Sequence, residues 1–368
     1  MKNFCAQPWV GLDITPQGEY KPCCKFSSVI ADNLDDYNNS KLLKELQDYH
    51  NNDLRHPDCK RCWNDEDSGL ISKRQLDNKF VFHEKLLDID SGKINLLGLT
   101  FGNTCNLACR TCNTNSSSRW RKEIDEHGNF NNQVVYTHSK FYKDKKFFDD
   151  LLQMLDENLH IDLSGGEPLL TGTKEHLYFI KKLAKHGDNI TLHYTTNTTN
   201  YPSDELLKLW TNFKKVDIQF SIDGIGDKLE YIRWPAEWNT IYEHIQKYKA
   251  LATSNTNIQL SISHTLSIFN VLDLPQFLDW CEKESLPTPY IGMVSYPVEY
   301  NIKVLPQDIK TQITEVLGER CPSVISYMNS EDLSSDFTKT LSHIKFLDKV
   351  RKQQFTKTFA DHPISRLF

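Results

Sequence analysis

The chain has 368 residues, 39% apolar and 25% charged, with a formal net charge of −6 and a pI of about 6.1. That is ordinary globular composition, long enough for one large domain plus a small one. The acidic balance argues against a broad phosphate-binding surface, so no nucleic-acid partner is expected. No stretch approaches about 18 uninterrupted apolar residues, and the N-terminus lacks a signal-like apolar run, so we expect no membrane span and a cytoplasmic location.

Ten cysteines in such a chain point to metal ligation rather than disulfides. Five fall in the first 62 residues, and residues 1–80 read as a small Cys-rich domain of turns and short strands. An amphipathic helix ends the stretch 34–48, with Ser40 placed to cap it. Cys5 and Cys23 bracket Gly18, and Cys59-Lys60-Arg61-Cys62 forms a C-x2-C knuckle. Four thiolates from a hairpin and a knuckle close either a tetrahedral zinc site or a cubane cluster. Cys24 is surplus and stands as an alternative to Cys23, which the glycine spacing favours. With little core of its own, this segment needs a metal to hold it.

From about residue 90 to 300 strands alternate with helices. The expected strands are 94–101, 160–163, 190–196, 216–222, 258–266 and 290–295. The expected helices are 173–186, 203–213, 237–252 and 272–285. This is an α/β pattern with parallel pairing, and six units predict a partial (β/α)6 TIM-like barrel. Chemistry in such folds sits at the C-terminal strand ends. Residues 301–368 read as a mostly helical C-terminal tail.

The first strand runs into Phe101-Gly102-Asn103-Thr104-Cys105-Asn106-Leu107-Ala108-Cys109-Arg110-Thr111-Cys112, a C-x3-C-x2-C loop. Three thiolates on one loop can wrap a cubane and leave one iron open, as a reactive site requires. Zinc would want a fourth ligand, which the adjacent residues do not supply. The second strand ends in Ser164-Gly165-Gly166-Glu167-Pro168, where the glycines admit close approach to a ligand. Glu167 is suited either to accept from a ligand ammonium or to fix the turn. The third strand ends at Asn197 and the fourth at Ser221-Ile222-Asp223-Gly224; both are also ordinary turn signals. Arg233 is a candidate carboxylate partner or a surface ion-pair residue. His264 reads as a core histidine before a site residue.

Taken together, the motifs between about residues 94 and 300 resemble the radical S-adenosylmethionine superfamily. The resemblance implies that Cys105, Cys109 and Cys112 hold a [4Fe–4S] cluster whose open iron chelates S-adenosylmethionine. Reductive cleavage of that cofactor gives a 5′-deoxyadenosyl radical that abstracts a substrate hydrogen. It implies cofactor contacts at Ser164, Gly165, Gly166, Glu167, Asn197, Ser221 and Asp223, with Arg233 a further candidate. Many members carry an aromatic residue where Thr111 stands here. The N-terminal cysteines resemble the auxiliary-cluster domain of the twitch and SPASM groups, placed before the barrel instead of after it. That implies a second [4Fe–4S] cluster on Cys5, Cys23, Cys59 and Cys62, serving electron transfer, substrate positioning or stability. A peptide or small-metabolite substrate and an electron donor such as flavodoxin or ferredoxin follow from the same resemblance. The rival class is a non-catalytic zinc or Fe–S scaffold with a degenerate barrel, separable by the brown colour of a thiolate-bound cluster.

Overall fold

The computed structural model describes residues 2–86, 91–129, 133–135, 140–170 and 173–368. The N-terminal segment supplies β1 (Gly11–Ile14) and β2 (Tyr20–Lys21). The alternating region supplies β3 (Ile94–Thr100), β4 (Leu155–Ser164), β5 (Ile190–Thr196), β6 (Lys215–Ser221), β7 (Ile258–Leu266) and β8 (Tyr290–Met293). All lie in one sheet, in the order β2-β1-β3-β4-β5-β6-β7-β8. Strands β3 to β8 pair in parallel, which are the six units of the partial barrel read from the sequence.

The two faces of the sheet differ. Leu97, Leu99, Ile161, Leu163, Leu192, Tyr194, Val216, Ile218 and Phe220 are buried on one side in the main apolar core. The alternate residues, two apart along each strand, line the other face. In register they run Asp13, Gly98, Asp162, His193 and Asp217, then Thr100 with Ser164 and Thr195 with Gln219. Parallel strands are usually apolar on both faces. Here Asp13, Thr100, Ser164 and Thr195 of the polar face line a cavity.

The N-terminal segment is sewn into this sheet. β1 pairs in parallel with β3 through Gly11 to Ile14, burying Leu12 and Ile14. Ser40 precedes the helix Lys41–Asn51 as expected, but its side chain makes no capping bond. Asn33 does cap, accepting from the Asp36 amide to start the short helix Leu34–Tyr37. Two helices absent from the sequence reading, Ser118–His127 and Lys145–Met154, fill the long connection from β3 to β4.

The tail is helical over Gln307–Leu317, Pro322–Asn329 and Phe337–Arg351. Its Ile313, Met328 and Ile344 share a second apolar core with Leu266, Phe269 and Tyr300 from the β7–β8 side of the barrel.

Candidate active site

The loops at the C-terminal ends of β3 to β6 converge on a cavity of about 890 Å³. Cys105, Cys109 and Cys112 line it, together with Ser164, Gly165, Gly166, Asn197, Ser221 and Arg233. Of the barrel residues expected at the site, only Glu167 and Asp223 do not line it.

The cysteine loop is held by its backbone. The Ala108 amide donates to the Trp234 carbonyl and the Arg110 amide to the Ile232 carbonyl, both at 2.7 Å. From below, Trp120 Nε1 donates to the Cys109 carbonyl at 2.8 Å. Arg110 next to Cys109 turns inward, ion-paired to Asp348 at 2.7 Å and stacked over the Tyr231 ring at 3.8 Å. Trp120, Trp234 and Trp238 therefore pack as structure rather than as cavity wall: Trp234 against Arg119 and Arg351, Trp238 against Trp280.

Gly166 has φ +53°, and a Cβ there would lie 2.2 Å from the Thr104 carbonyl oxygen, beside Cys105. The motif thus packs directly on the cysteine loop. Glu167 is fully buried beneath it. It accepts from Thr196 Oγ1 at 2.8 Å, the Asn197 amide at 2.6 Å and the Leu169 amide at 3.2 Å. It braces the strand ends, as the turn-fixing reading has it. Burial pushes its carboxyl up to about 7, against the pull of those hydrogen bonds. Asn197 Nδ2 reaches Asn106 Oδ1 at 3.0 Å and Cys105 Sγ at 3.7 Å.

Asp223 is buried; its Oδ1 accepts from the Thr265 amide at 2.8 Å and its Oδ2 lies 2.9 Å from Arg233. Arg233 also reaches Cys109 Sγ at 4.0 Å. Its carboxylate partner here is this chain's own Asp223. His264 is a core residue, bonded through Nδ1 to the Ile222 carbonyl at 2.9 Å and packed at a tilt against the Phe277 ring. Burial lowers it to about 4, so it stays neutral.

A second, small cavity is lined by Cys5, Cys23, Cys59 and Cys62, with Lys73 and Arg74. Cys24 does not line it. It lines the large cavity instead, while Phe26 belongs to both.

The donor chemistry fits thiolate-bound clusters. Burial pushes the Cys105 thiol up to about 12 and lifts Cys5, Cys59 and Cys112 further. Such thiols ionise only when a cation takes up the charge. Among the described residues no three His, Cys, Asp or Glu side chains close around a single metal ion. Three thiols of one loop on one cavity wall, with Cys24 reaching the same cavity from the separate N-terminal segment, match a three-cysteine open cluster.

The family model described as Radical SAM superfamily matches residues 99–269, from the end of β3 through β7. This chain contains a radical SAM domain. No curated protein matches the chain. Among solved structures, anSMEcpe with bound AdoMet is 15% identical with a TM-score of 0.44, over 61% of this chain and 57% of that one. Streptococcus suis SuiB bound to S-adenosylmethionine is 12% identical with a TM-score of 0.38, over 67% and 49%. SuiB bound to precursor peptide SuiA is 11% identical with a TM-score of 0.39, over 78% and 56%. The chain thus spans less than three fifths of each of these structures.

Sequence reasoning missed the polar face of the sheet. Its signal was there: Ile161-Asp162-Leu163-Ser164, Leu192-His193-Tyr194-Thr195 and Val216-Asp217-Ile218-Gln219 each alternate with a period of two. It also missed Asp13 and Lys21 on the cavity wall, since β1 and β2 are only four and two residues long.

Proposed function

We propose that the protein is a radical S-adenosylmethionine enzyme that modifies a peptide or a small metabolite. The observation that carries this is the shared cavity: three cysteines of one loop, the Gly165-Gly166 turn and the polar ends of four neighbouring strands meet at the C-terminal mouth of the barrel. Cys105, Cys109 and Cys112 would hold a [4Fe–4S] cluster with one iron open. When bound, the reduced cluster and S-adenosylmethionine supply a 5′-deoxyadenosyl radical that takes a hydrogen atom from substrate.

The chain's own residues position that chemistry. Gly165 and Gly166 let the backbone come close to the cofactor, and Ser164, Asn197 and Ser221 present polar side chains to it. Glu167 and Asp223 hold the strand ends in register from behind. Arg233, neutralised by Asp223, sets a positive group near the Cys109 sulfur. Cys5, Cys23, Cys59 and Cys62 would hold a second, closed [4Fe–4S] cluster, separated from the reaction cavity by Phe26 and the Cys23-Cys24 peptide. That adjacency favours roles in electron transfer or substrate positioning. Reduced flavodoxin or ferredoxin would serve as donor.

Anaerobically reconstituted protein should be brown and hold about eight irons per chain, and about four after Ala replacement of Cys105, Cys109 and Cys112 together. Reduced in the presence of S-adenosylmethionine, it should form 5′-deoxyadenosine, and the triple variant should not. Colourless protein with stoichiometric zinc, or reconstituted protein that forms no 5′-deoxyadenosine, would overturn the reading.

A further inference from the structure

β1 and β2 bring two oppositely charged side chains to the cavity wall. Asp13 and Lys21 are direct cross-strand partners in the antiparallel register. Both line the cavity that holds Cys105, Cys109 and Cys112. Side chains opposed in this way share a face of the sheet, about 5 Å apart at Cβ, and opposite charges there normally pair. These two do not. Among the described residues, neither the Asp13 carboxylate nor the Lys21 ammonium makes a hydrogen bond or an ion pair within 4.0 Å.

Gly98 provides the reason. It is the parallel partner of Asp13 on β3, and the Asp13 carboxylate occupies the space a side chain would take. A Cβ on Gly98 would lie 2.2 Å from Asp13 Oδ1 and 3.1 Å from its Cγ. The acid therefore leans across β3, away from Lys21. Burial pushes its carboxyl up to about 7, with Asp162 adding to the rise and Lys73 and Lys21 opposing it. A donor nitrogen entering the cavity would stabilise the ionised form.

We propose that Asp13 and Lys21 anchor the substrate as an amino-acid unit, its nitrogen facing Asp13 and its carbonyl or carboxylate oxygen facing Lys21. The inference rests on the radical-enzyme reading and names its substrate class. An amino-acid unit carries a donor nitrogen and an acceptor oxygen three bonds apart, so it can bridge both groups. A phosphate-like anion would gain from Lys21 and Arg61 but be repelled by Asp13. A wholly apolar substrate would leave two charges desolvated without partners, which is costly. A free amino acid and a residue within a peptide share the chemistry that Asp13 and Lys21 recognise.

The test uses the reconstituted, reduced full chain with S-adenosylmethionine and two probes, a pool of the twenty free amino acids and a random hexapeptide pool. The readout is the 5′-deoxyadenosine rate with probe relative to the rate without it, titrated to half-saturation. At least one pool should stimulate wild type, and which one does identifies the source of the unit. Asp13→Asn, Lys21→Met and Gly98→Ala should each raise the half-saturating concentration at least ten-fold, with a smaller change in the plateau. Gly98→Ala displaces the carboxylate without altering Asp13; if it fails to fold, the near-isosteric Asp13→Asn carries the test. Wild type that cleaves the cofactor but responds to neither pool overturns the anchor, as do variants with unchanged half-saturation. Wild type that forms no 5′-deoxyadenosine at all sinks the enzyme reading and the anchor with it.

Discussion

Arg110 sits between two proposed cluster ligands, yet its side chain points away from them into the protein. Its guanidinium is fully buried and meets Asp348, Gln353 and the Tyr231 carbonyl, which are 238, 243 and 121 residues away in the chain. Asp348 in turn accepts from the Tyr231 hydroxyl and the Phe355 amide. Arg110→Met would leave that carboxylate without its cation, so a loss of about 3–5 kcal/mol in chemical denaturation is expected; a loss under about 1 kcal/mol would mean the pair is dispensable. Polar pairs on the inner face of the sheet titrate instead. His193 Nδ1 lies 2.9 Å from Asp217 Oδ2. Burial alone would lower the imidazole, but Asp217 and Asp162 outweigh it and the opposing Lys73, so it is held above its ordinary value. Burial would likewise raise Asp217, but the His193 hydrogen bond holds it below the usual carboxylate range. A histidine raised on folding contributes fully below its unfolded value and loses that contribution as pH rises through the folded one. Wild type should therefore exceed Asp217→Asn in stability by more at about pH 5.5 than at about pH 9. Urea melts at the two values check this, and a gap that widens with pH would contradict it. None of these partners was legible in the sequence, because each is fixed by which strand or helix lies alongside.

At the scale of elements, the strands of the barrel were legible and their companions were not. Apolar or alternating runs of seven to nine residues followed by turn residues mark β3 and β5 to β7, whereas β4 begins at Leu155, five residues before the expected 160, because Asp156-Glu157-Asn158 carries no strand pattern. β1 has four residues, and only pairing with β3 makes it a strand. The Gly165-Gly166 turn was legible as a ligand-approach motif, but its second task was not: it is also the floor on which the cysteine loop rests. Gly166→Ala would drive a Cβ into the Thr104 carbonyl. We expect it to weaken S-adenosylmethionine binding at least ten-fold, about 1.4 kcal/mol, in equilibrium dialysis. Gly292→Ala in β8, where the nearest atom is a Tyr290 ring carbon at 3.4 Å, should bind as wild type does. Equal affinity in the two variants would remove the turn from the site.

Across the whole molecule, the Cys-rich segment joins the barrel through one short strand, sends Leu12, Ile14, Tyr20, Tyr37 and Leu43 into the main core, and adds a small apolar cluster of Phe4, Ala6, Val10, Val81, Leu86 and Leu96. The barrel has the much larger core. Closing the loops between Cys5, Cys23, Cys59 and Cys62 around a metal should supply much of what the segment lacks. Cys59→Ala with Cys62→Ala should therefore expose residues 1–86 to limited proteolysis first, while slow 5′-deoxyadenosine formation persists with an external reductant. Loss of both clusters together would show one cooperative unit. What the sequence by itself determined is the local chemistry: three thiols at fixed spacing on one loop, a glycine turn one strand later, and the alternation that makes β3 to β8 a parallel set. Those features depend on neighbours a few residues apart, where spacing alone dictates geometry. Only the tertiary structure decided that Cys23 and Cys24 face different cavities, that Glu167 braces instead of facing the cavity, and that Asp13 and Lys21 reach the cavity that holds Cys105. The first and last depend on parallel pairing between β1 and β3, whose ends are separated by some eighty residues of intervening chain, and the Glu167 brace on β4 lying beside β5; sequence separation carries no record of which edges meet.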